Sequence, residues 1–104
     1  MTDPDDLIRM IGNAVASAAP AGWVTAWVRA VDVSADHART EYDYVSEDGV
    51  EAWFDHGMEL SNAVSTSFIR LLSAMIASGQ PVWTGATLVV QRNGHFNVRF
   101  SYEP

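Results

Sequence analysis

At 104 residues the chain has room for one hydrophobic core and not for two. Its 48 % apolar and 11 % aromatic content excludes a disordered chain, and the absence of cysteine excludes disulfides and thiol chemistry. A formal net charge of −7 argues against direct binding of nucleic acid, whose phosphates would repel it, and suits a partner that is itself basic.

The N-terminus, Met1 to Asp6, lacks the basic start and apolar run of a secretory signal. No apolar stretch reads as long enough to span a bilayer, so the simplest expected location is the cytoplasm, with no membrane partner. Asp3 is a good N-cap, Pro4 suits the first helical position, and Asp5 and Asp6 fall where the helix dipole favours negative charge. Leu7, Ile8, Ile11, Ala14, Val15 and Ala18 follow helical spacing, which predicts an amphipathic helix over 4–18, ended by Pro20 and Gly22.

Trp23 to Val33 reads as a strand. Trp23, Thr25, Trp27, Arg29 and Val31 lie on one face, with Val24, Ala26, Val28 and Ala30 on the other. Both faces are fairly apolar, which suggests an interior strand. After a turn at 34–37, residues 39–45 alternate cleanly, with Thr40, Tyr42 and Tyr44 on one side and Arg39, Glu41 and Asp43 on the other. Ser46 to Gly49 is a turn, and Val50 to Phe54 a short third strand with Glu51, Trp53 and Asp55 sharing a face. Ser61 is a plausible N-cap for a second helix that is free to begin earlier. Its buried stripe is predicted as Val64, Phe68, Leu71, Leu72, Met75 and Ile76.

Gly79 and Pro81 stop that helix. Thr87–Gln91 and Phe96–Phe100 then suit a pleated surface, with Asn93-Gly94 as a turn between them. A two-residue loop would pair Val90 with Asn97 and mix polar with apolar groups on both faces. A three-residue loop, Arg92 to Gly94, pairs Val90 with Phe96, Leu88 with Val98 and Ala86 with Phe100. One face is then wholly apolar, so this register is expected. The order α-β-β-β-α-β-β predicts a single α+β domain, an antiparallel sheet packed by two helices.

The C-terminal pattern Gly79-Gln80-x-x-Trp83, an apolar strand, then Gly94-His95-Phe96-Asn97-x-x-Phe100-x-Tyr102-Glu103 resembles the end of YezG-type immunity proteins. His95 stands where those commonly carry Lys. The rest of the chain is similar in outline: an N-terminal helix, Pro20 and Trp23 opening a strand, a Tyr-rich strand and a long helix. The resemblance implies an antitoxin that binds and blocks a secreted toxin, often a nuclease.

No residue pattern carries chemistry. The three His are isolated, with His37 and His95 at predicted turns and His56 after a strand, and none has the spacing of metal ligands. Asp55 and His56, adjacent on a strand, would point to opposite faces. Gly85 in a strand suggests a bulge or a close backbone approach, and the serines lack a nucleophile-elbow context. The acids at 43, 47 and 48 lack the spacing of a Ca²⁺ loop. Neither enzymatic activity, a cofactor nor a metal is expected.

The charge itself is uneven. Residues 32–59 hold nine acids against Arg39 alone, a formal −8, while the rest of the chain is +1. Trp23, Trp27 and Trp83 are expected in the core. Trp53 shares a face with acids and has the composition of a binding hot spot, although packing beneath the second helix is equally open to it. The expected contacts of a basic toxin are Glu41, Asp43, Glu47, Asp48, Glu51, Trp53 and Asp55. The alternative is a scaffold module or one like type III secretion chaperones, whose element order is similar and which would dimerise. The sequence leaves monomer or homodimer open.

Overall fold

The computed structural model describes residues 3–34, 36–54 and 57–102, and they follow the expected order: α1 (Pro4–Ala18), β1 (Trp23–Val31), β2 (Arg39–Ser46), β3 (Glu51–Trp53), α2 (Met58–Ala77), β4 (Gly85–Gln91) and β5 (Phe96–Ser101). The strands form one antiparallel sheet in the order β3-β2-β1-β4-β5. Both helices pack against one of its faces, α1 over β1 and β4 and α2 over β2, and against each other. The result is the α+β architecture expected, with a core of two layers.

Local chemistry explains the ends of α1. Asp3 Oδ1 accepts a hydrogen bond from the Asp5 N–H at 2.9 Å, and Pro4 occupies the first turn, where a missing N–H costs nothing. Ala19 turns extended, as residues before proline do, and Pro20 follows. Leu7, Ile11 and Val15 are fully buried. Gly12 lies between them against the sheet, with the Phe96 ring 3.5 Å from where its Cβ would stand.

β1 is the centre of the sheet because it offers a usable surface on both sides. Ala26, Val28 and Ala30 point into the core together with Tyr42 from β2 and Ala86, Leu88 and Val90 from β4. The three alanines let the helices approach closely. Trp27 was expected in the core and is not: it belongs to the alternate parity of β1, on the face that no helix covers, and it is only partly buried. Trp83 and Trp23 do join the core, the first completely and the second at its margin. Trp83 stacks on Phe100 with ring centroids 4.9 Å apart, and its indole N–H donates to Met75 Sδ at 3.3 Å.

α2 begins at Met58, behind a Gly57 cap at φ 78°, and not at Ser61. The Ser61 N–H already donates to the Gly57 carbonyl, so Ser61 sits inside the helix, where its hydroxyl meets Thr40 Oγ1 at 3.4 Å. Val64, Phe68, Leu71 and Leu72 are buried as expected. Met75 is half-buried, whereas Ile76 is 45 % exposed and stands outside the core. By length and composition α2, at 20 residues and mean hydropathy 1.3, is long and apolar enough to cross a membrane, contrary to the expectation that no stretch is. In this fold its most apolar stripe is spent on the core.

The closing hairpin adopts the expected register, Val90 with Phe96, Leu88 with Val98 and Ala86 with Phe100. The Gln91 N–H donates to the His95 carbonyl at 2.7 Å, which closes a three-residue loop, and Gly94 holds φ 92°. Gly85 marks a close approach, since a Cβ there would lie 3.3 Å from the Ala30 carbonyl oxygen.

Candidate functional site

A two-layer fold leaves one sheet face without cover, and pairing registers define what stands on it. Besides the pair Gly85–Ser101, residues of opposite parity to Ala26, Val28 and Tyr42 form four cross-strand rows. The first runs Glu51–Val45–Thr25–Gln91, the next Trp53–Asp43–Trp27–Val89–Asn97, the third Glu41–Arg29–Thr87–Arg99, and the last joins Arg39 to Val31. Acids therefore gather on β2 and β3, while Arg29 stands on β1 beside Glu41, Arg39 at the start of β2 and Arg99 on β5.

Trp53 is 76 % exposed on this face, so it does not pack beneath α2. The register places it directly beside Asp43, with Glu51 on the same side of β3. The aromatic cluster of β2 is on the other side: Tyr42 and Tyr44 meet Phe54 edge-on, with centroids 5.8 and 5.9 Å apart. Phe54 is buried, and the Phe54 N–H donates to the Tyr42 carbonyl. These rings anchor the short third strand from beneath and leave Trp53 facing outward.

Of the seven expected contacts, Glu41, Asp43, Glu51 and Trp53 share the open face. Glu47 and Asp48 sit at the β2–β3 turn, beyond the end of that face, and Asp55 lies outside the described residues. The turn is well made. Ser46 Oγ donates to Asp48 Oδ1 at 2.7 Å, which holds the Asp48 carboxyl below its usual range, and Gly49 takes φ 82°.

Two arginines distant in sequence reduce the local charge. Arg29 stands 3.6 Å from Glu41 across the β1–β2 pair, and Arg92 from the closing hairpin bonds Glu47. Both pairs are about half exposed to solvent and contribute little to stability. Asp43 and Glu51 have no ion-pair partner among the described residues.

A shallow cleft of about 440 Å³ opens at the far end of β1 and β4, lined by Arg29, Asp32, Thr84, Gly85 and Ser101 among others. Among the described residues, no histidine lines it. His37 and His95 are exposed on separate turns, and His56 lies outside the described residues. Among the described residues no three His, Asp or Glu side chains come together as metal ligands.

Sequence reasoning missed that Trp27, Val45 and Val89 belong to the exposed face. The alternation of β1 had already put Trp27 opposite Val28, but nothing in the strand states which side the helices take. No protein-family model matches the chain, and no characterised protein matches it.

Proposed function

We propose that this chain is a cytoplasmic immunity protein that neutralises a toxin with a basic surface, such as a nuclease, by stoichiometric binding through the open face and acidic turn of β2 and β3. One observation carries the reading: Trp53, 76 % exposed, stands on the sheet face without helix cover beside Asp43, which has no ion-pair partner among the described residues. Large exposed aromatics are costly to leave in water and are enriched at the centres of interfaces, where rim charges set orientation and rate. A toxin that holds phosphates must present positive charge. Glu41, Asp43, Glu47, Asp48 and Glu51 attract such a surface, and Trp53 supplies the apolar contact area. The resemblance of the closing hairpin to YezG-type immunity proteins points to the same role.

The test is co-expression with the C-terminal domain of a secreted polypeptide encoded immediately upstream. The chain should rescue growth and bind the toxin domain one to one. Reversal of Glu47, Asp48 and Glu51 to Lys should slow association by about tenfold or more at low salt, and the difference should shrink as salt rises. An unchanged association rate and salt slope would sink the electrostatic mechanism; failure to rescue would sink the immunity role.

One observation favours the alternative, a dimeric scaffold or chaperone-like module. The open face has acids on β2 and β3 and Arg99 on the opposite edge strand β5, so two copies related by a two-fold axis would be complementary. Light scattering separates the two: a stable dimer supports the scaffold, a monomer the inhibitor.

A further inference from the structure

We propose that the row Trp27–Asp43–Trp53 is a socket for an arginine side chain presented by the protein partner. The three residues come from three neighbouring strands, Asp43 paired with Trp27 on one side and with Trp53 on the other. All stand on the face opposite the buried Ala26, Val28 and Tyr42. Adjacent strands lie about 4.8 Å apart, so the two indoles rise from backbone positions roughly 10 Å apart with a carboxylate between them. A cation held over Asp43 is then within about 6 Å of both rings, the range of a cation–π contact.

Charge selects the occupant. Glu41 and Glu47 are answered by Arg29 and Arg92, whereas Asp43 has no ion-pair partner among the described residues, and Glu51 on the next row adds to the negative potential. A guanidinium fits this arrangement better than an ammonium. It is planar, weakly hydrated, stacks on aromatic faces, and gives a carboxylate two parallel N–H bonds. A phosphate backbone is repelled by the same carboxylates. The partner is therefore a protein surface with a projecting arginine. This rests on the open face being a protein-binding surface, as proposed above.

The binding measurement needs no toxin. The four tryptophans give four indole N–H signals in an ¹⁵N-correlated NMR spectrum, assigned with single Trp→Phe variants. The protein is titrated at low salt with a capped Gly-Arg-Gly peptide, and in parallel with Gly-Lys-Gly and Gly-citrulline-Gly. The signals of Trp27 and Trp53 should move saturably with the arginine peptide, while that of the buried Trp83 stays in place. Asp43→Asn should weaken the response about fivefold, and the lysine and citrulline peptides should be weaker by a similar factor. An unmoved Trp83 signal in D43N reports that the core is intact.

Static Trp27 and Trp53 signals, an equal response to lysine, or an unchanged affinity in D43N would overturn the socket. So would concentration-dependent broadening of those signals without peptide, which would mean that a second copy fills the face. Growth rescue by the D43N variant at wild-type level, with rescue lost on reversal of the acidic turn, would remove the socket and leave the immunity reading standing. A peptide response without any rescue would do the reverse.

Discussion

Replacing Trp53 by alanine should change the free energy of unfolding by less than about 0.5 kcal/mol, because the side chain is 76 % exposed and lies outside the core. The same substitution at Trp83, fully buried and bonded to Met75, should cost about 3–5 kcal/mol. That is a large share of the roughly 5–15 kcal/mol that holds a domain together. Urea denaturation followed by circular dichroism measures both. Equal losses would mean that Trp53 is structural, and the open face would lose its anchor. Composition could not separate these two residues. Trp83 follows a helix stop and precedes an apolar strand, and so was legible as an anchor. Trp53 sits in a short acidic strand and read equally well either way until the β2–β3 register put it beside Asp43.

Among the elements, α1 and the closing hairpin were readable nearly to the residue. Their limits are set by neighbours in sequence: Asp3 and Pro4 at one end of the helix, Pro20 at the other, and Gly94 with alternating Phe96, Val98 and Phe100 in the hairpin. The start of α2 was not readable, because Gly57 caps it without a side-chain bond and Ser61, a good cap by type, is turned instead toward Thr40. The contact of α1 with the sheet yields a prediction at this scale. A methyl group on Gly12 would meet the Phe96 ring at 3.5 Å, an ordinary contact, while removing the entropic cost of glycine inside a helix. Gly12→Ala should therefore stabilise the protein by about 0.5–1 kcal/mol, seen as a higher Tm. Gly12→Leu, which must displace Phe96 and Leu88, should lower it. A lower Tm for the alanine variant would show that α1 cannot give way even slightly.

The whole molecule is two layers with unequal duties. One face of the sheet is filled by helices and makes stability; the other is open and carries the acids. Between the layers, Tyr42 couples β2 to α2, its hydroxyl beside Thr40 and Ser61, and burial pushes its pKa above the ordinary 10.0. The unfolded chain then ionises Tyr42 before the folded one does. Its contribution is fully present below about pH 10 and is lost as pH rises through the higher folded value. Denaturation midpoints should fall more steeply above pH 10 in the wild type than in Tyr42→Phe. Parallel slopes would mean that Tyr42 is not ionised differently in the two states.

The sequence by itself determined the order of elements, the hairpin register, and the concentration of acids in residues 32–59, since each depends on spacing along the chain. Only tertiary structure decided which face of β1 is buried, and so that Trp27 is outside. It also brought Arg29 and Arg92 to Glu41 and Glu47, and left Asp43, in register between Trp27 and Trp53, without an ion-pair partner among the described residues. The reason is physical. Period-two alternation divides a strand into two faces but does not say which one the helices will cover. That choice rests on how small the alanines of β1 and β4 are, and on contacts with helices distant in the chain.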